Sequence, residues 1–463
     1  MRLCSGACVA AAGFLAASSW CLGAIRYVDD SAPAGGNGQS WNTAYNNLAT
    51  ALQAAVAGDE LRVAQGTYRP GSTRTSVFTL KNGVSMFGGY AGYGAPNPNA
   101  RDTARYTTIL SGDLNANDGP AFAGNSDNCF QVVTAPSTVS ASTVFDGFVV
   151  TGGNADGGFG SQDRGGGMGV AGSLQILHCT FRNNSASGAG AMSISSTGSP
   201  LIRNCAFVAN RATGSSGFTS GGAIHLAGNA EIACSLFAGN TALQGNGGAV
   251  SVATNATTSK IHGSVFTGNS AQNGGALQLG PAPVLNCTLT GNSASMSGGG
   301  INVASTNAPQ IANCIIWDNF ASTGGRELNG PASVTYSCVK DGMMGEGNIL
   351  SDPLLLDPAG PDQVLGTADD NCRVASGPFV FSPCIDSGNN VAQLPVGTVD
   401  IDGNPRFADH PYVTNTGVGP GDPVDIGAYE PKPVLCNADF NADGVINADD
   451  LGDYINAYFT GCQ

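Results

Sequence analysis

The sequence predicts an all-β protein, a right-handed parallel β-helix with an N-terminal helical cap and a small C-terminal EF-hand-like module. The first observation is a template repeated six times. Ile176, Ile202, Ile232, Ile261, Val284 and Ile311 are each followed five residues on by Phe181, Phe207, Phe237, Phe266, Leu289 and Ile316. Three residues further along, each copy carries Asn184, Asn210, Asn240, Asn269, Asn292 or Asn319. A period of a few tens of residues marks stacked supersecondary units, so the chain reads as a solenoid.

The second observation is composition. Of 463 residues 68 are Gly, only 11% are charged and 42% are hydrophobic. Average globular chains hold roughly 7% Gly and 25% charged residues. The hydrophobic content argues against a disordered low-complexity chain. A long, glycine-punctuated, strand-rich body fits.

The third observation is the phase inside one copy. In Ile202-Arg203-Asn204-Cys205-Ala206-Phe207, strand alternation puts Cys205 and Phe207 on one face and leaves Ile202 out of step. A bend at Asn204 restores the parity. The equivalent positions hold His178, Asn204, Cys234, Gly263, Asn286 and Asn313, and Asn and Gly tolerate the left-handed backbone of a sharp corner. A third strand follows in Gly221-Gly222-Ala223-Ile224, Gly247-Gly248-Ala249-Val250, Gly274-Gly275-Ala276-Leu277 and Gly298-Gly299-Gly300-Ile301. Handedness is expected from the chirality of parallel crossovers. The stacked asparagines are expected to form a structural ladder, hydrogen-bonding one another and the turn backbone.

Along the chain, residues 1–24 read as a secretory signal, with Arg2, the apolar run Val9–Ala17 and the small-residue site Leu22-Gly23-Ala24. A membrane anchor is the competing reading of that run, which Ser18 and Ser19 interrupt. Residues 25–74 are the cap. Leu48, Leu52 and Ala55 fall at helical spacing between Tyr45 and Val56, and Glu60–Ala64 reads as a strand. Residues 75–340 are the β-helix, regular from 165 to 320. Its early strands are expected over Val77–Leu80, Val84–Phe87, Thr108–Leu110, Phe130–Val133 and Val144–Thr151. Residues 341–430 are an acidic closing domain, and residues 431–463 hold a calcium loop.

That loop is Asp439-Phe440-Asn441-Ala442-Asp443-Gly444-Val445-Ile446-Asn447-Ala448-Asp449-Asp450. Asp439, Asn441, Asp443, the Val445 carbonyl, Asn447 and Asp450 occupy the oxygen-donor positions of an EF-hand loop, and Gly444 permits the turn. Such a hard oxygen cage selects Ca²⁺. Cys436 and Cys462 bracket the unit, and a disulfide there would close a domain poor in core. Cys372 and Cys384 are a second candidate pair in an irregular loop. Cys179 with Cys205, and Cys287 with Cys314, are expected as stacked buried thiols. Asp357, Asp362, Asp369 and Asp370 form a weaker acidic loop, and Asp113–Gly119 reads as a solvated turn.

Several function classes are disfavoured. The net charge of −15 opposes binding to nucleic acid. The cysteines form no CxxC and there are four histidines, a poor basis for zinc. Between Gly165 and Phe320 the only acids are Glu231 and Asp318, whereas glycoside hydrolysis needs two carboxylates across one bond. No catalytic site is expected in the regular array; the one place left open to catalysis is the early rungs, where Asp146, Asp156 or Asp163 could act with Arg164.

The GGA(I/V/L) and Phe-x-x-Asn signals resemble the repeats of chlamydial polymorphic outer-membrane proteins, best in Phe207-Val208-Ala209-Asn210 and Phe266-Thr267-Gly268-Asn269. That resemblance covers about a third of the chain and implies a surface-exposed, adhesive β-helix. It lacks that family's terminal barrel. Tyr27-Val28-Asp29, Gly38-Gln39-Ser40-Trp41 and Ala64-Gln65-Gly66-Thr67-Tyr68 look like the start of bacterial secreted β-helix proteins. Ser382–Gly388, Asp402-Gly403-Asn404-Pro405-Arg406 and Asp425-Ile426-Gly427-Ala428-Tyr429-Glu430 are similar to the choice-of-anchor Q domain. The calcium loop resembles one half of a dockerin. Dockerins carry two loops, so a cohesin partner is not implied by one. The expected role is a non-catalytic structural or adhesive protein, secreted or at the cell surface, meeting an extracellular glycan or a cell-surface protein. The alternative is a polysaccharide-binding or polysaccharide-degrading protein of pectate-lyase-like fold.

Overall fold

The computed structural model describes residues 23–431, except 159, 215–219, 307, 378–379 and 393–398, and also residue 452. The secretory reading of residues 1–24 therefore lies almost wholly outside the described residues.

Each turn of the chain returns to the same side chains one rung later, which generates a parallel β-helix. Its first sheet has 11 strands, running from Ile25–Val28 and Glu60–Ala64 to Gln310–Ala312 and Ser333–Thr335. The second has 10, from Gly66–Tyr68 to Cys338–Val339, and the third has 9. Register keeps the template stacked: Ile176 pairs with Ile202, Ile202 with Ile232, and Phe181 with Phe207. Both columns are fully buried. Phe181, Phe207, Phe237 and Phe266 stack with ring centroids 5.1, 4.8 and 4.8 Å apart, the spacing of hydrogen-bonded strands. Each such ring removed from water stabilises the fold by about 2–3 kcal/mol.

The expected corner exists. His178, Asn204, Cys234, Gly263, Asn286 and Asn313 all have positive φ, between 46° and 59°. The asparagine ladder is also formed. Nδ2 of Asn184, Asn210, Asn240, Asn269 and Asn292 each donates to Oδ1 of the next, at 3.1, 2.9, 2.9, 2.9 and 2.8 Å. The ladder needs an acceptor after its last member, and Glu327 supplies it: Asn319 Nδ2 donates to Glu327 Oε2 at 2.6 Å. Burial pushes the Glu327 carboxyl up to about 7.

Three details differ from the sequence reading. A fourth sheet of 7 two- to five-residue strands follows the ladder. Its small inward residue recurs as Ala186, Ala212, Ala242, Ala271, Ala294 and Ala321, two places after each ladder asparagine. The expected strand Val144–Thr151 is two strands, Val144–Asp146 and Phe148–Thr151, broken at Gly147, whose φ is +81°. The strand expected at Phe130–Val133 lies at Val133–Ala135.

The helix spans Leu48–Ala54, shorter than expected, because the Asn47 side chain caps it by accepting from the Thr50 amide at 2.9 Å. Leu48, Ala51 and Leu52 are buried in the same core as the first strands. That placement covers apolar surface that an open solenoid end would expose.

After Val339 the chain doubles back and packs along the flank of the rod. Asn389 N donates to Asn313 Oδ1 at 2.7 Å, and Ala428 N to Thr288 Oγ1 at 3.0 Å. Thr267 Oγ1 donates to Asp370 Oδ2 at 2.6 Å. Gly366 rests on Gly239 and Gly268, where a Cβ on Gly268 would lie 2.4 Å from the Gly366 Cα.

Candidate functional site

The calcium-loop residues Asp439, Asn441, Asp443, Val445, Asn447 and Asp450 lie outside the described residues, as do Cys436 and Cys462. Among the described residues no group of three or more His, Cys, Asp or Glu is placed to hold a metal ion. No helix of the described residues is long and apolar enough to cross a membrane.

The early-rung acids do not meet at one point. Asp146 ends the strand Val144–Asp146 and is held by Arg101 and by His178 Nδ1, the latter at 3.2 Å. Asp156 pairs with Arg74 at 2.5 Å, and Asp163 with its neighbour Arg164 at 3.3 Å. Each acid thus has its own arginine. Burial would raise the Asp146 carboxyl, but hydrogen bonds from His178 and Arg101 outweigh it and leave the group below the ordinary aspartate range.

His178 is the group here with the most chemical character, half exposed on the corner. Its Nε2 lies 3.1 Å from Asn204 Nδ2. An amide nitrogen can only donate, so Nε2 is the acceptor and Nδ1 carries the proton toward Asp146. Both ring nitrogens are therefore engaged. A general base needs a free lone pair facing substrate, and this imidazole has given its own to Asn204.

The three closing motifs that sequence similarity singled out do come together, in a buried charge knot. The Asp386 amide donates to Asp425 Oδ1 at 2.7 Å. The Asp425 amide donates to Glu430 Oε1 at 3.1 Å, and the Glu430 amide to Asp400 Oδ2 at 2.8 Å. Arg406, itself buried, reaches the Gly427 carbonyl and lies 3.5 Å from Glu430 Oε1. Asp400, which the similarity did not single out, also caps its own turn by accepting from Asn404 N at 2.7 Å. Burial pushes Asp425 up to about 7 and Asp386 up to about 6. Glu430 is raised by burial and then by Asp425. One arginine among four buried acids favours protonated carboxyls over unpaired charge. The knot binds the closing segment to itself, and its four acids are almost wholly buried.

The nine described cysteines are buried free thiols. Cys179 with Cys205 and Cys287 with Cys314 are the stacked pairs expected, and burial, then the neighbouring thiol, raises Cys179 and Cys287. Cys372 and Cys384 are not bonded to each other. Cys384 packs with Cys338 and Ile315, while Cys372 packs with Val265 and Ala428. The reason is that the two thiols serve different patches of the rod flank. The acidic loop of Asp357, Asp362, Asp369 and Asp370 turns inward on itself: Asp370 accepts from Thr267 and from the Gly366 amide at 2.7 Å. Asn313, singled out only as a corner residue, proves to be a docking point as well. Its side chain accepts from Asn389 N and donates to Asn389 O at 3.0 Å.

No protein-family model matches the sequence, and no curated protein matches it. Among solved structures, pectate lyase Pel9A is similar in fold, with a TM-score of 0.44 and 14% identity over 88% of this chain and 96% of that one.

Proposed function

We propose that this chain is an exported, non-catalytic surface rod, structural or adhesive in role, whose C-terminal loop at residues 439–450 binds calcium. The observation that carries the reading is the closing segment laid along several rungs and locked by Asp386, Arg406, Asp425 and Glu430. Such a flank clasp resists peeling of the last rungs, which is what a load-bearing or display rod requires. The ladder and the phenylalanine stack give the same rod a stiff core. Its partners are an extracellular glycan or a cell-surface protein.

One observation favours a second reading, a polysaccharide-binding or polysaccharide-degrading protein: the half-exposed His178, held by Asp146 and Asn204, stands beside Arg101 as a polar cluster on the open flank that a sugar polymer can meet. Incubating the mature chain with acidic and neutral polysaccharides, with and without Ca²⁺, separates the two. The rod reading expects no unsaturated uronate and no new reducing ends, and a melting temperature raised by Ca²⁺ that D439A/D443A abolishes. Calcium-dependent product, lost in H178A, would overturn it.

A further inference from the structure

The outward column of the third sheet carries a recess that neither the ladder nor the closing segment uses. Register stacks Thr134, Gly169, Ser193 and His225 on four successive rungs. At about 4.8 Å per rung the column spans roughly 14 Å. Where its neighbours carry side chains the second rung has glycine, and the Gln131 amide packs into that gap to make the floor of a pocket of about 470 Å³. A Cβ on Gly169 would sit 2.6 Å from the Gln131 Nε2. The Gln131 amide is fixed there by donating to the Arg164 carbonyl at 2.8 Å.

Two of the pocket's polar groups are unspent. His225 is 3% exposed, lines the pocket, and its Nδ1 has no hydrogen-bond partner among the described residues. A buried ring nitrogen without a partner is destabilising, and a ligand group would satisfy it. Burial and the nearby Arg164 hold this imidazole at about 4, so it is neutral and offers one donor and one acceptor. Arg164, with a side chain 42% exposed, meets Asp163 through Nε at 3.3 Å, and among the described residues its two terminal nitrogens are left for a ligand. Carboxylates match that fork. The remaining wall is apolar, from the half-buried Pro136, Ala171 and Ala227.

We infer that this recess is a binding site for a small hydroxylated carboxylate. Arg164 takes the carboxylate, His225, Ser193 and Thr134 take hydroxyls, and Pro136, Ala171 and Ala227 take the carbon skeleton. The volume admits a compound of monosaccharide size. The site stands apart from the closing knot and from His178, and it does not rest on the surface-rod reading.

The test is calorimetric titration of the mature chain with sodium glucuronate, with glucose as the uncharged counterpart. Glucuronate is expected to bind at least about tenfold more tightly than glucose, as one charge-assisted pair implies. R164Q should remove that preference, and G169V, whose side chain would push the Gln131 amide up into the recess, should abolish binding of both. R182Q, on an exposed strand position of the second sheet, should leave binding unchanged. The His225 ring proton resonances should shift with glucuronate in the parent chain and stay fixed in G169V, a readout independent of affinity. Equal affinity for glucose and glucuronate, no binding at millimolar concentration, or binding indifferent to R164Q and G169V would each overturn the proposal.

Discussion

The second sheet presents the same inward column throughout, yet its outward face is two different surfaces. On the early rungs Thr180, Ala206 and Val208 are half exposed and Arg182 is exposed. Three rungs on, Val265, Thr267, Thr288, Thr290 and Ile315 occupy the same register positions and are buried under the closing segment. The difference teaches that the repeat encodes only half of each strand. Inward residues are fixed by the solenoid, whereas outward residues record whether the chain comes back over them.

The comparison breaks most sharply at one register column. Ile315→Asp places a charge under the closing segment and should destabilise it by about 3–5 kcal/mol, the scale of an uncompensated buried charge. Ala206→Asp, on the same column but half exposed, should stay within about 0.5 kcal/mol. Limited proteolysis with denaturant melts reads both. Equal effects would dissolve the distinction between the two faces.

The ladder is indifferent to that distinction, so it serves as the internal control. Asn240→Ala removes an acceptor from Asn210 and a donor to Asn269 and to the Phe207 carbonyl, the last at 2.8 Å. Two or more orphaned buried groups should cost about 2–4 kcal/mol in the rod itself, seen as lost amide-exchange protection on both neighbouring rungs.

A gentler probe uses the corner between the second and fourth sheets. Alanine already sits there on the open face, at Ala209 with φ +52°, whereas the covered rung has Gly268 at +59°. Gly268→Ala should cost about 1–3 kcal/mol by overpacking against Gly366. Most of that should vanish when the acidic loop is cut, with circular dichroism melts of nicked and intact chains as the measure.

The smallest effect is with pH. Asp425 and Asp386 titrate near 7 and 6 in the folded chain, above the ordinary aspartate value of 3.8. The folded state then holds more protons than the unfolded one, so stability is greatest below about pH 4 and declines as pH rises toward 7. The closing segment should melt a few degrees lower at pH 8 than at pH 5, and Asp425→Asn should flatten the dependence. Glu327 gives the rod end the same sign, and Glu327→Gln isolates it.

Much of the fold was legible because each rung repeats its own instructions. The parity break at Asn204 located the corner, and Asn184 through Asn319 located the ladder. The fourth sheet escaped notice because its signal is one alanine, as in Asn210-Arg211-Ala212, and a two-residue strand has no periodicity to detect. The docking of Asn313 and Gly366 was not legible at all, since it joins positions some 75 to 130 residues apart whose only cue is outward hydrophobicity. His225 was hidden for the opposite reason: an isolated histidine on a strand says nothing until Gly169 and Arg164 are set beside it.

The ladder also has a direction. Every asparagine receives from the rung before and gives to the rung after, and only Glu327 ends the sequence of donors. A whole rung copied or deleted inside that row would leave no orphan, because its replacement presents the same donor and acceptor. Gene-level gain or loss of rungs is therefore cheap on the open stretch around Asn184 and Asn210. Beyond Cys234 it is dear, because the closing segment there is cut to a fixed length.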